Sequence, residues 1–351
     1  MNPESASMNL PRIHGGPGTN GPARFDFSTT ANACGPCPMA LAAVRDAPYQ
    51  HYPDPSYTAL RQQLAALHQV APERVVLAAS ASEFIFRITA VGGNGPVAVP
   101  VHAFGDYTTA ARGHGRAVVH GLPEANHATL VWHTDPSSPC GLSEDRPHGF
   151  MPWRDPAQPV WTVVDRACEP LRLDGTSSWA GDAADDVFQL YSPNKALGLT
   201  GVRAAYAIAP LHGAAMVQRL EAACPSWPLG AAGVALLTAW ATPAVQQWVA
   251  ESRHTLRAWK QRQTDGLARL DWQVQPSVAN YFLLRPPPAA GMGAAAVPYC
   301  ETVVQPALAA AGVAWRNTTS FGLPGAWRVS VQAPAVQDHV FDVLRSLPAR
   351  Q

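Results

Sequence analysis

Tyr191-Ser-Pro-Asn-Lys-Ala-Leu-Gly-Leu-Thr-Gly-Val-Arg203 is the stretch of sequence on which the interpretation of the fold depends. It contains Lys195, and the only other lysine among the 351 residues is Lys260. A chain that uses arginine for nearly all its positive charge keeps a lysine mainly where arginine cannot serve. Arginine does not lose its proton, whereas a lysine can act as nucleophile and base. We therefore expect Lys195 to be catalytic, with a chance surface lysine as the alternative, and Lys260 to be a solvated charge on a helix.

Composition excludes several classes of protein. Hydrophobic residues make up 47% and charged residues 14% of the chain, as in an ordinary globular protein. Acidic and basic residues balance at 25 each, so no net field attracts nucleic acid or an anionic membrane. The start of the chain shows no secretory signal, and the longest apolar stretch, Gly230–Ala241, is shorter than the roughly 20 residues of a membrane span. We expect a cytoplasmic protein that binds neither nucleic acid nor membranes.

The cysteines and histidines are too scattered to predict a disulfide scaffold or a metal site. Cys34-Gly-Pro-Cys37 matches a redox motif in spelling, but it lies in a polar, proline-rich stretch rather than between a strand and a helix. We interpret it as part of an irregular loop.

Short β-branched runs alternate with helical patterns from residue 49 onward, which predicts an α/β fold with a mostly parallel sheet covered on both faces. The apolar positions of 253–270 predict a long helix, and the last hundred residues read as a smaller α+β unit. The predicted organisation is an N-terminal arm (1–48), a large domain (49–250) and a small C-terminal domain (251–351). The predicted strands of the large domain are 74–78, 96–99, 117–120, 129–133, 160–165, 187–191 and 204–209; the predicted helices are 57–69, 82–91 and 105–113.

Ser192–Arg203 resembles the lysine motif of the class I and II aminotransferases, in the branch of histidinol-phosphate aminotransferase and threonine-phosphate decarboxylase. The resemblance extends from Asp26 to the last predicted helix. It implies the fold of the type I pyridoxal-phosphate (PLP) enzymes, with Lys195 holding PLP as a Schiff base.

The resemblance also implies the other cofactor contacts. Asp165, at the end of Val-Trp-Thr-Val-Val-Asp, would pair with the pyridine nitrogen, where a buried anion keeps that nitrogen protonated. Phe104 would stack on the ring. Tyr52 would reach the phosphate of a neighbouring subunit, which implies a homodimer with shared active sites. The implied phosphate contacts within the chain are Ser80, Ala81, Ser82, Ser192 and Arg203.

Three further positions are implied to bind a small-molecule substrate. Arg328 matches the arginine that takes the α-carboxylate, because a guanidinium can bind a carboxylate with two parallel hydrogen bonds. Arg316 matches a position that faces a distal anion in members with phosphate-bearing substrates. Asn32, in the N-terminal arm, is a candidate for the substrate pocket.

The sequence departs from the family pattern around the 3′ oxygen of the cofactor. Ser138 stands where an asparagine usually donates to that oxygen, and Cys168 stands where a tyrosine usually does. Pro193 and Asn194 also replace the usual dipeptide before the lysine. Loss of both donors predicts an altered pKa of the lysine–cofactor linkage. It favours a specialised biosynthetic role over a standard aminotransferase.

Amino transfer is the leading functional prediction, with Lys195 releasing the cofactor to an incoming amine and then moving the Cα proton. One alternative is α-decarboxylation of an amino acid such as O-phosphothreonine in the same site. Another is a non-catalytic binding protein of the same fold, against which the joint presence of Lys195, Asp165 and Arg328 argues. A nicotinamide dehydrogenase is excluded because Gly92-Gly-Asn-Gly95 follows a predicted helix rather than a strand.

Overall fold

A seven-stranded sheet forms the centre of the computed structural model, which describes residues 13–18, 21–121, 127–146, 160–288, 291 and 293–348. The strand order is β2-β8-β7-β6-β5-β3-β4, and β8 runs antiparallel to both of its neighbours while the remaining pairs are parallel. All the predicted strands of this region are confirmed. They are β2 (Val75–Ala78), β3 (Val97–Val99), β4 (Val118–His120), β5 (Leu130–Thr134), β6 (Trp161–Asp165), β7 (Phe188–Tyr191) and β8 (Ala205–Ile208).

Helices cover both faces of this sheet, as expected for strands that are buried along their whole length. Every residue of β2, β5, β6 and β8 is buried, and one apolar core forms on each face of the sheet. The covering helices are α1 (Pro38–Arg45), α2 (Thr58–His68), α3 (Ala81–Val91), α4 (Gly105–Gly113), α5 (Ala214–Ala222) and α6 (Ala231–Trp240).

The N-terminal region contains more regular structure than the predicted loop-rich arm. A short strand, β1 (Phe25–Asp26), pairs in parallel with β11 (Val313–Ala314), and α1 lies within the same region. Proline at the first position of α1 suits a helix start, because the missing N–H would have no intrahelical acceptor there. The cysteine motif ends at this helix: Cys37 precedes it and is buried, and both Cys34 and Cys37 are free thiols.

The C-terminal region forms a second, antiparallel sheet of order β12-β13-β10-β9. The long predicted helix is confirmed as part of α7 (Pro243–Ala268), and residue 250, where we placed the domain boundary, falls inside it. Both domain boundaries stay predictions.

The remaining elements of the C-terminal region are β9 (Gln273–Val274), β10 (Tyr281–Arg285), β12 (Arg316–Asn317), β13 (Trp327–Ser330) and α10 (Pro334–Arg345). In addition, α8 (Val297–Tyr299) continues through a π-helical segment (Cys300–Val304) into α9 (Gln305–Ala310). No helix in the described part of the chain is both long and apolar enough to cross a membrane.

We expect Gly266→Ala to destabilise the packing of α10 on α7. A Cβ at Gly266 would lie 2.2 Å from Cζ of the buried Phe341. Overpacking of this kind costs about 1–3 kcal/mol, which exceeds the roughly 1 kcal/mol that alanine gains over glycine in a helix. Urea unfolding measures the difference. Gly113→Ala, at the end of α4 with open space around its Cβ, is the control, and equal midpoints for the two variants would contradict the prediction.

Candidate active site

The predicted cofactor residues collect at one edge of the central sheet. Asp165 is the last residue of β6, and Lys195 follows the end of the adjacent parallel strand β7. Ser80 lies between the end of β2 and the start of α3. Because β2 and β7 each run antiparallel to β8, their carboxyl ends lie at the same edge, which is where ligands bind in open α/β sheets.

The turn that carries Lys195 is held by the N-terminal arm. The Lys195 carbonyl accepts hydrogen bonds from the amide of Asn32 at 2.9 Å and from the amide of Gly198 at 3.1 Å. The Nδ2 atom of Asn32 donates to the Ala196 carbonyl at 3.0 Å. Within the described residues, the ammonium group of Lys195 makes no hydrogen bond or ion pair. Its backbone is therefore fixed while its amine stays available.

Asp165 is a buried carboxylate with a donor on each oxygen. Its side chain is 7% exposed, Oδ1 accepts from the Ala167 amide at 2.9 Å, and Oδ2 accepts from the Tyr107 hydroxyl at 2.6 Å. The pKa of Tyr107 is raised well above its ordinary value, mainly by burial and secondly by the adjacent Asp165 carboxylate. Sequence reasoning missed Tyr107. The available signal was its position three residues after Phe104, one helical turn into α4.

Phe104 precedes α4 and places its ring beside this pair, 5.9 Å from the Tyr107 ring in an edge-on arrangement. On its other side lies His14, whose ring is 5.5 Å from that of Phe104 and whose Nε2 is 3.9 Å from the carboxylate of Asp106. His14 was not predicted, and its only sequence signal is the His-Gly-Gly run in which it stands. Phe104 thus lies next to the tyrosine that donates a hydrogen bond to Asp165.

The start of α3 has the properties of an anion-binding site. Ser80 caps this helix, its Oγ accepting from the amide of Glu83 at 3.1 Å. Glu83 in turn accepts from the Ala79 amide at 3.1 Å and pairs with Arg87 at 2.9 Å. The amides of Ala81 and Ser82, in the first turn, have no acceptor within the helix, so they and the helix dipole favour an anion here.

The two predicted phosphate contacts that flank Lys195 differ in environment. Ser192 is buried, and its hydroxyl donates to Oδ1 of Asn194 at 3.0 Å. Nδ2 of Asn194 donates to the Thr200 carbonyl at 3.3 Å, so the polar groups of this turn are satisfied locally. Arg203 is exposed and has no hydrogen bond or ion pair with any residue that the structure describes. Its phosphate contact stays a prediction.

Arg316 and Arg328 lie directly opposite each other on β12 and β13. Arg328 donates to Oγ of Ser138 at 2.9 Å and to the Ser28 carbonyl at 2.8 Å, while its Nε is buried without a hydrogen-bond partner. Arg316 donates to the Ile13 carbonyl and to Oγ of Ser320, each at 2.8 Å. Burial, followed by the neighbouring charge of Arg328, lowers the pKa of Arg316 to about 10. Neither arginine forms an ion pair with a carboxylate of the described chain.

The residues that depart from the family pattern lie near Arg328 as well. Ser138 accepts the hydrogen bond from Arg328, and Cys168 packs with the buried Tyr281. The Tyr281 hydroxyl donates to the Ser137 carbonyl at 2.8 Å, and burial raises the pKa of Tyr281 well above its ordinary value. The position predicted to contact the cofactor and the arginine predicted to bind substrate are thus in direct contact.

Two of the predicted contacts have local partners that sequence reasoning did not anticipate. Asn32 is buried, and its Oδ1 accepts from the Cys34 amide at 3.0 Å while its Nδ2 bonds the lysine turn. These are the contacts of a positioning residue, and its substrate contact stays a prediction. Tyr52 is 79% exposed and stacks on Trp227 with the ring centres 4.6 Å apart.

These residues fit PLP. A buried carboxylate with its own donors suits a protonated pyridine nitrogen, and the free amides at the start of α3 suit a phosphate. Lys195 supplies an amine without a competing partner in the described structure. The geometry therefore contains a place for each charged group of the cofactor.

Comparison with known proteins leads to the same family. The family model for aminotransferases of class I and II matches residues 25–344. A histidinol-phosphate aminotransferase of Jannaschia sp. (strain CCS1) is 26% identical over 344 residues, which cover 92% of this chain and 91% of that protein.

Solved structures share the fold. The histidinol-phosphate aminotransferase from Sinorhizobium meliloti in complex with pyridoxal-5′-phosphate matches with a TM-score of 0.72 at 20% identity, covering 91% of this chain and 90% of that one. L-threonine-O-3-phosphate decarboxylase from Porphyromonas gingivalis matches with a TM-score of 0.72 at 21% identity, covering 91% and 98%. The chain belongs to the class I and II aminotransferases and is a PLP-dependent enzyme of fold type I.

Proposed function

We propose that this aminotransferase acts on an amino acid or amino-phosphate that carries two anionic groups. The observation that carries the proposal is the facing pair of Arg316, which is buried, and Arg328, whose Nε is buried without a hydrogen-bond partner; neither has a carboxylate partner in the described chain. Burying a cation without an anion is costly. A substrate with two anionic groups would supply both missing partners at once.

The two arginines divide the substrate between them. Arg328 takes the carboxylate next to the reacting carbon, because its Nε has no partner and its two terminal nitrogens bond only neutral oxygens, so its charge is not neutralised by the protein. Arg316 takes the distal anion. The fold shared with L-threonine-O-3-phosphate decarboxylase, whose substrate carries an α-carboxylate and a phosphate, supports a phosphate as that anion.

The remaining residues hold and use the cofactor. PLP, when bound, supplies an electron-accepting ring that stabilises negative charge at the substrate Cα. Lys195 would hold the cofactor covalently, and its amine, once replaced by the substrate amine, would accept the Cα proton. Asp165 keeps the ring nitrogen protonated. Phe104 orients the ring, while Ser80, Ala81, Ser82, Ser192 and Arg203 hold the phosphate.

Decarboxylation in the same site is the second candidate. The chain shares its fold with a threonine-phosphate decarboxylase as closely as with the aminotransferase from Sinorhizobium meliloti. Which bond at Cα breaks depends on which one stands perpendicular to the ring, so the same arginines could serve either reaction. The products formed by the purified enzyme distinguish the two.

We further propose a homodimer in which Tyr52 reaches the partner's phosphate site. Tyr52 and Trp227 stack on each other although both are exposed, and Tyr49 and Met39 are exposed apolar side chains from the same region of the chain. Beside them lies a cleft of about 420 Å³ between α1, α2 and α6. Exposed aromatic side chains beside an apolar cleft are typical of an interaction surface.

We expect Lys195→Arg to abolish covalent capture of PLP, because a guanidinium does not form the bond. Borohydride reduction followed by peptide mass spectrometry locates the modified residue, and the visible absorbance of the PLP-loaded protein provides a second measurement. Lys260→Arg is the matched control at the other lysine and should label at Lys195 as the wild type does. Labelling of Lys260 alone, or equal labelling of both variants, would contradict the assignment.

Arg316→Gln should raise KM for substrates with a second anion by about tenfold or more, since a hydrogen bond to a charged group contributes roughly 1.5–3 kcal/mol. We would compare O-phospho-L-threonine and L-glutamate, which each carry two anionic groups, with L-alanine, whose KM should change little. Arg345→Gln, an exposed arginine on α10, is the control. Turnover that requires a keto acid indicates amino transfer, and carbon dioxide release without one indicates decarboxylation. An equal loss for all substrates would refute the role of Arg316.

A mixture of the Tyr52→Ala and Lys195→Arg variants should regain activity that neither variant has alone. In a mixed dimer, one site combines an intact Lys195 with an intact Tyr52 from the partner subunit. The two proteins are mixed, allowed to exchange subunits and assayed, with light scattering to determine the oligomeric state. If Tyr52 serves its own subunit, no mixture recovers.

A further inference from the structure

We propose that Tyr107 is a positioning residue whose hydroxyl keeps Asp165 in the form of an anion directed at the cofactor's ring nitrogen. The inference rests on the proposed role of Asp165 and deepens it. Tyr107 lies outside the lysine motif Ser192–Arg203, and no function was predicted for it from the sequence.

The contact is short and buried. The Tyr107 hydroxyl donates to Oδ2 of Asp165 at 2.6 Å, and the Ala167 amide donates to Oδ1 at 2.9 Å. Each carboxylate oxygen therefore accepts one donor from the protein. An ionised carboxylate has about four acceptor positions, so it can still accept the ring N–H of a bound cofactor.

Packing prevents the phenol from turning away. Tyr107 is completely buried, and its ring stacks on Trp132 with the centres 4.4 Å apart and the planes 12° from parallel. Phe104 contacts it edge-on from the other direction. The hydroxyl has Thr134 as its second neighbour, with the two oxygens 3.4 Å apart. The ring position is thus set by the core, and the hydroxyl is held on the carboxylate.

The hydrogen bond from Tyr107 affects whether a proton lies on the Asp165 carboxyl or on the ring nitrogen of the cofactor. Burial favours the neutral form of a carboxyl, and a neutral Asp165 would have taken the proton that the ring nitrogen needs. A donor to the charged form opposes this effect. Burial and the adjacent Asp165 raise the pKa of Tyr107, so the phenol remains the donor, and Cys168 is the other titratable group that acts on this hydroxyl.

Tyr107→Phe tests this, since it removes the hydroxyl and keeps the ring stacked on Trp132. Tyr206→Phe is the matched control: Tyr206 is also fully buried, and its hydroxyl bonds Trp240 and His68 rather than Asp165. In the cofactor-free protein, carbon-13 NMR of labelled aspartate measures the Asp165 carboxyl, which is assigned with Asp165→Asn. At neutral pH we expect the resonance of this carboxyl to move toward the position of a protonated carboxyl in Tyr107→Phe and to stay in place in the control.

The PLP-loaded protein gives a second, independent reading. With nitrogen-15-labelled PLP, the ring-nitrogen shift should move toward the unprotonated value in Tyr107→Phe, and PLP should bind about tenfold more weakly. An Asp165 carboxyl resonance that is unchanged in Tyr107→Phe overturns the inference, as does a nitrogen shift that responds to Asp165→Asn but not to Tyr107→Phe. A nitrogen shift that does not respond even to Asp165→Asn instead overturns the proposed role of Asp165, and the inference falls with it.

Discussion

A buried ion pair between Asp135 and Arg172 joins the two loops around which the site is built. Oδ1 of Asp135 lies 2.6 Å from Nη2 of Arg172, and the two side chains are 0% and 4% exposed. The same carboxylate accepts from the Glu144 amide and the Ser177 hydroxyl. Removing one partner of such a pair leaves an uncompensated buried charge, at a cost of about 3–5 kcal/mol. The loop after β5 and the loop after β6 are thereby fixed relative to each other.

The ion pair between Asp135 and Arg172 affects both the loop that carries Ser138 and the loop that follows Asp165. The loop that starts at Asp135 carries Ser138, which accepts from Arg328, and the loop that contains Arg172 follows Asp165. Arg172 also forms an isolated bridge to Ala279, just before β10 of the small sheet. Backbone and ionic contacts outside the candidate site therefore fix the small sheet, which carries Arg316 and Arg328, relative to the loop that follows Asp165. From the other direction, the bond of His102 to the Phe321 carbonyl, 2.7 Å long, joins the Phe104 loop to the small sheet.

Much of the fold could be predicted because its strands are short, apolar and separated by clear helical patterns. The motif around Lys195 and the strand ending at Asp165 likewise stand out in the sequence. The antiparallel direction of β8 could not be predicted, since a buried strand has the same pattern in either direction. The contact between Asn32 and the Ala196 carbonyl could not be predicted from the sequence, because the two residues are 164 positions apart. Tyr107 was overlooked because a buried tyrosine in a helix looks like core until its hydroxyl partner is known.

The balance of charge within the candidate site supports the proposal of a substrate with more than one anionic group. Glu83 is already paired with Arg87 at the start of α3, and Asp165 is committed to its own donors at the sheet edge. Lys195, Arg316 and Arg328 have no carboxylate partner within the described residues. Burial and the neighbouring charge of Arg328 lower the pKa of Arg316 to about 10, because both disfavour the charged form of its side chain. An anion placed beside Arg316 raises that pKa again, so binding of such a substrate offsets the unfavourable free energy of burying the cation.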